Sequence, residues 1–174
     1  MDLVGRRPFV SWLIIKALVA TAAFWLWQNG IAHDVYVNDK FYVVLTILGW
    51  FSIASISVAY VCLDIEKNSS EIRMGLSQRL LTVSRRRLTF GWFSSSQLLN
   101  LGLAGTTYGF IAMLAAAFVG KDFSNASILA TLIPVVGENW AAALYATASG
   151  ITGTIILSLE TYIADYAIDM REQD

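Results

Sequence analysis

Threonines at helical spacing are the residues of this chain best placed to do chemistry. Thr147, Thr154 and Thr161 recur every seven residues in one apolar stretch, with Ser158 between the last two. Steps of seven put side chains on one face of a helix. Thr106 and Thr107 lie in a second apolar stretch, with Asn100 about one and a half turns before them. Hydroxyls on two neighbouring helices can coordinate a cation or orient water, so these residues are the candidate lining of a proton or sodium pathway. A single threonine in an apolar helix often just bonds the carbonyl four residues earlier. A line of them beside a second hydroxyl-bearing helix suggests more. Threonine does not exchange protons near neutral pH. No acid, base or nucleophile lies midway along either stretch, since Glu160 and Asp165 fall towards one end and Glu138 towards the other. An ion crossing here therefore needs an ionisable carrier from another chain.

Small residues accompany the hydroxyls. In the earlier stretch they fall at Gly102, Gly105, Gly109, Ala112 and Ala116, in steps of three, four, three and four. In the later one Ala142, Ala146, Gly150 and Gly153 form a similar stripe. Such stripes let two helix backbones approach closely inside a membrane.

The elements that carry these residues are membrane helices. The chain has 174 residues, of which 56% are hydrophobic and only 14% charged, against roughly 25% charged in a soluble domain. Four apolar stretches are long enough to cross a hydrocarbon core of about 30 Å at about 1.5 Å per residue. They run from about Phe9 to Trp27, Phe41 to Leu63, Phe93 to Val119 and Trp140 to Ala164. An isolated span must satisfy its own backbone hydrogen bonds, so each is helical. The expected fold is all-α, a single membrane domain with four transmembrane helices.

Charge gives the orientation. Arg6 and Arg7 precede the first span, and Lys67, Arg73, Arg79, Arg85, Arg86 and Arg87 fall between the second and third. The other two loops contain only Lys40 and Lys121. Lys and Arg mark cytoplasmic loops, so both termini are expected in the cytoplasm. The first stretch is too long for a signal-peptide core and reads as a retained helix. Lys16 lies about two turns inside it. It either snorkels to the headgroups or pairs with a partner inside an assembly. Residues 64–92 form the cytoplasmic segment, expected to be an extension of the second helix followed by a short surface helix. Its Arg85–Arg86–Arg87 cluster suits anionic lipid headgroups better than nucleic acid.

One cysteine, Cys62, and one histidine, His33, argue against a disulfide or a structural zinc site. No nucleophile–base pair suggests an enzyme, and no cofactor is implied beyond a transported proton or sodium ion.

Two motifs carry a resemblance. Leu101-Gly-Leu-Ala-Gly-Thr-Thr-Tyr-Gly-Phe110 resembles the LGLxGTVxGI motif of the MotA/TolQ/ExbB proton-channel family, and Ala143-Leu-Tyr-Ala-Thr-Ala-Ser-Gly-Ile151 resembles its ALxxTAxGL motif. Four spans look more like the MotA branch than like TolQ or ExbB, which have three. The resemblance implies a homopentamer in the inner membrane around two copies of a MotB/TolR/ExbD-like single-span protein. The membrane aspartate of that partner would bind the ion, facing the hydroxyls at Thr106 and Thr147. Ion flow would then do mechanical work. The chain departs from the family in having no proline after the second motif and Ala142 where TolQ- and ExbB-like members carry glutamate. Its cytoplasmic segment of about 30 residues leaves no room for a domain that pushes a flagellar rotor. The implied protein is a minimal channel-motor core. A non-conducting membrane scaffold with the same packing motifs is the alternative.

Overall fold

The computed structural model describes residues 7–39, 42–68, 78–118 and 126–173, with the side chains of 38, 78–80, 126–131 and 171–173 left aside. The described residues form five helices and no strand: α1 (Pro8–Gln28), α2 (Ile31–Asn38), α3 (Val43–Lys67), α4 (Gln78–Phe118) and α5 (Ala126–Gln173). α1, α3, α4 and α5 each contain an apolar window long enough to cross a membrane, as the sequence indicates. The fold is all-α with four candidate membrane spans.

Local sequence sets the helix ends. Pro8 opens α1, where its fixed φ suits a first turn and its missing N–H costs nothing. Gly30 takes φ +76° between α1 and α2, a left-handed conformation that glycine adopts without strain. The Asp39 carboxylate accepts from the amides of Val43 at 2.9 Å and Leu45 at 3.2 Å, satisfying donors that the first turn of α3 leaves unpaired.

Three boundaries differ from the sequence reading. α2 occupies the first loop, where the spans left only a connection. The surface helix expected before the third span is no separate element from Gln78 onward, because α4 runs unbroken for 41 residues. α5 starts at Ala126 rather than near Trp140 and holds 48 residues, with Pro134 inside it. Hydropathy locates the apolar window of a helix and not its ends: the good helix formers of 78–88 extend α4, whereas α5 is helical through Pro134 and Gly137 against local propensity.

The most extensive packing is between α4 and α5, with α3 against both. α3 turns one face inward, burying Ile47, Ala54, Val58, Val61, Cys62 and Ile65 against Leu88 and Leu98 of α4 and Leu157, Ala164 and Ile168 of α5. α1 packs at the periphery against α3 and α5. Ion pairs join Arg87 to Asp64 at 3.1 Å and Arg85 to Asp169 at 3.0 Å, so one end of the bundle is an arginine end. The surface of 11011 Å² exceeds the about 8,400 Å² of a compact soluble monomer of this mass. Large apolar side chains such as Leu18, Trp27, Ile53, Phe110, Ile111 and Ile133 are exposed on it, the surface expected of a chain covered by lipid or by further subunits.

Candidate functional site: a threonine seam and a buried carboxylate

The two glycine- and threonine-marked segments face each other across the α4–α5 interface. A Cβ built on Gly150 would lie 2.8 Å from both the Cα of Gly102 and the carbonyl oxygen of Leu98. One built on Gly109 would meet the Ala143 Cβ at 2.7 Å, and one on Gly105 the Ala146 Cβ at 2.5 Å. These backbones touch as closely as they do because no side chain stands between them. Gly153, grouped with them in the sequence reading, differs: its nearest neighbour would be the Leu98 Cδ1 at 3.4 Å, an ordinary contact. Gly91, absent from that reading, does belong to the seam. A Cβ there would lie 2.8 Å from the Thr161 hydroxyl.

The line of threonines on α5 turns to α4 as its seven-residue spacing requires. Thr147 hydrogen-bonds Thr106 across the seam. Thr154 donates to the carbonyl of Ser95 on α4 at 2.9 Å and to that of Gly150 at 2.8 Å. Thr161 packs at Gly91 and donates to Leu157 at 2.8 Å. Each of the three hydroxyls thus reaches the carbonyl four residues earlier, Thr147 doing so to Ala143 at 3.2 Å. Thr106 has Gly102 at 3.1 Å as its own such partner. A hydroxyl has one proton and two lone pairs. With the protons committed to carbonyls or to each other, the Thr106–Thr147 pair offers acceptor capacity, which suits a cation or an external donor. Thr107 and Asn100 lie on exposed faces of α4, and Thr107 bonds Leu103 at 3.0 Å. They are not part of the closed seam.

Heights within the bundle correct the sequence picture. Gly105 and Ala146 are level with Val43, the first residue of α3. The threonine pair therefore sits level with the end of α3 remote from the arginines, although it is midway along its own apolar stretch. The α4–α5 hairpin continues past it by 12 residues to Phe118, about 18 Å of helix.

The centre of α3 is level with an acid instead. Ser55, the thirteenth residue of the 25 in α3, donates to Oε2 of Glu160 at 2.6 Å, a length typical of an O–H···O⁻ bond. The Trp12 indole N–H donates to the same oxygen at 3.0 Å. Lys16 Nζ lies 2.7 Å from Oε1, with the Glu160 side chain 0% and the lysine side chain 24% exposed. Oε1 accepts no well-directed hydrogen bond, so the contact there is chiefly charge on charge. The ammonium also stands 4.4 Å from the Phe51 ring centroid and 5.5 Å from that of Trp12, where aromatic faces attract cations. Three helices thus converge on one carboxylate. Trp12 and Lys16 share a face of α1 at a spacing of four, as do Phe51 and Ser55 on α3.

Glu160 is therefore not an end residue, and Lys16 does not snorkel: it is a pairing residue, and its partner belongs to the same chain. Sequence reasoning missed the site because hydropathy windows place each acid only within its own helix, and the stagger of α5 against α3 is a tertiary property. A basic residue in one span and an acidic residue in another was the available signal. Glu160 is bonded to α1 and α3 and lies 13 residues along α5 from Thr147, about 20 Å of helix, so it does not reach the Thr106–Thr147 pair. Among the described residues, no three His, Cys, Asp or Glu side chains gather as metal ligands.

No family model, curated protein or solved structure matches the chain.

Proposed function

We propose that the chain is an ion-conducting motor subunit of MotA/TolQ/ExbB type. In this reading it lies in the inner membrane with both termini cytoplasmic. It forms a pentamer around a dimeric single-span partner and turns proton or sodium flow into mechanical work. The observation that carries the reading is the meeting of its two motifs: Gly102 abuts Gly150 and Thr106 bonds Thr147, so the paired segments build one local site. The Glu160 carboxylate is already neutralised by Lys16 and turned to α1. The exchangeable group opposite the threonines is accordingly supplied by the membrane aspartate of the partner. The arginine end faces the cytoplasm by the charge rule.

A second reading, a non-conducting scaffold, draws on the hydrogen bonds of Thr147, Thr154 and Thr161 to carbonyls of their own helix. Native mass spectrometry of the complex isolated from its membrane separates the two. A pentamer carrying two copies of a single-span protein is the expected result. A monomer or dimer under stabilising lipid conditions would replace the motor by the scaffold.

A further inference from the structure

A groove of about 540 Å³ follows the outer face of α3 along Ile53, Ile56, Ser57 and Tyr60 and ends at Asp64 and Arg87. Ile53, Ile56 and Tyr60 are all more than half exposed, so its walls are apolar and uncovered in the single chain. From position 53 to position 64 it runs along 11 residues of helix, about 16 Å at about 1.5 Å per residue. That is one leaflet, half of a hydrocarbon core of about 30 Å. The charged end lies at the arginine end of the bundle, where a membrane laid over the apolar stretch of α3 would place its headgroups.

This end holds both signs. Arg87 Nη1 is 3.1 Å from Asp64 Oδ2, and each side chain is about half exposed. One hydrogen bond joins them, whereas a guanidinium has five donors and a carboxylate about four acceptor sites. Among the described residues this is the one side-chain hydrogen bond that either makes, and both line the groove. An exposed pair of this kind adds little to stability, so its stability contribution alone gives it little to do here.

We propose that the groove binds one glycerophospholipid with a primary-amine, zwitterionic headgroup. An acyl chain lies along Ile53, Ile56 and Tyr60, the phosphate meets Arg87, and the ammonium donates to Asp64. Charge selects the headgroup. An anionic lipid without an amine brings a like charge to Asp64, and a quaternary ammonium has no N–H to donate. The tyrosine ring, apolar with one polar end, suits the boundary between chain and headgroup. The site needs only that α3 spans a membrane and is independent of ion conduction.

The test reconstitutes the full chain in bilayers of equal phosphatidylethanolamine, phosphatidylcholine and phosphatidylglycerol, then counts retained lipids by native mass spectrometry after extraction. Phosphatidylethanolamine is expected to exceed phosphatidylcholine by roughly two- to fivefold, the scale of one partly exposed charge pair. Asp64→Asn should erase that preference and raise phosphatidylglycerol. Arg87→Gln should lower all three lipids, as should Ile56→Trp, which fills the groove without changing charge. Equal retention of the two zwitterionic lipids by the wild-type chain would overturn the proposal, as would an unchanged profile in Asp64→Asn. Crosslinking of a Tyr60→Cys variant between two copies, with no retained lipid, would also overturn it by making the groove a subunit interface.

Discussion

On one side of α5, Gly150 brings a backbone against Gly102, and hydroxyls bridge what little space remains. Ten residues further along α5, Glu160 reaches across to Lys16, Trp12 and Ser55. The first contact rests on shape and on bonds worth about 1 kcal/mol each. The second sets one full charge against another, the carboxylate fully buried and the ammonium 24% exposed. The contrast follows from what each neighbour needs. α4 lies along α5 over many turns, and dispersion summed over that length suffices. α1 packs only at the edge, with none of its apolar window buried, and has few contacts to spread. For such a helix a single strong, directional clasp fixes height and rotation. The seam is therefore tolerant of lost hydroxyls and intolerant of added bulk. The clasp is tolerant of changes that keep charge balanced and intolerant of any that leave one charge alone.

The largest effect is expected at the clasp. Lys16→Ala leaves the fully buried Glu160 carboxylate without its counter-charge and should destabilise the folded chain by about 3–5 kcal/mol, whereas Glu160→Ala leaves an ammonium that is 24% exposed and should cost less. Replacing both, as in Lys16→Met with Glu160→Met, should recover most of that loss, because two apolar side chains need no partner. Unfolding titrations of the three variants in one detergent measure the difference. A double variant as damaged as the singles would mean that the hydrogen bonds to Glu160, from Trp12 of α1 and Ser55 of α3, and not the charge balance, hold the clasp together.

Next comes bulk in the seam. Gly150→Val must push α4 from α5, because the added carbons meet the Gly102 Cα and the Leu98 carbonyl rather than a movable side chain. A cost of about 1–3 kcal/mol is expected. Gly153→Ala meets only ordinary contacts and should change stability by no more than about 0.5 kcal/mol. Thermal unfolding of the pair ranks the two glycines, and equal losses would undo the distinction drawn between them.

Much of this was legible in the sequence. The four spans follow from length and hydropathy, and the close approach of α4 and α5 from glycine and alanine at steps of three and four. The seven-residue spacing puts the threonines on one face of α5, and in the structure that face meets α4. Spacing within one helix does not encode how far that helix slides along its neighbours, however. Thr106 is central in its own apolar stretch yet level with the first residues of α3, and Glu160 is near the end of its stretch yet level with the middle of α3. For the same reason Lys16 gave no sign of its partner: the two residues are 144 positions apart, and only the packed bundle brings them together. Gly91 escaped notice because it lies outside the apolar windows in which a stripe was sought.

The smallest effect on stability should accompany the largest effect on function. Thr106→Val with Thr147→Val keeps shape and removes two hydroxyls, so folding should weaken by about 1 kcal/mol. The decisive measurement is ion flux through the native complex, isolated through this chain and reconstituted in liposomes. It compares the threonine double variant with the Lys16→Met, Glu160→Met double variant. The expected result is that the threonine variant assembles but does not conduct, while the clasp variant assembles and conducts. Conduction retained without the threonines and lost without the Lys16–Glu160 pair would contradict the account, moving the ion path from the α4–α5 seam to the buried carboxylate.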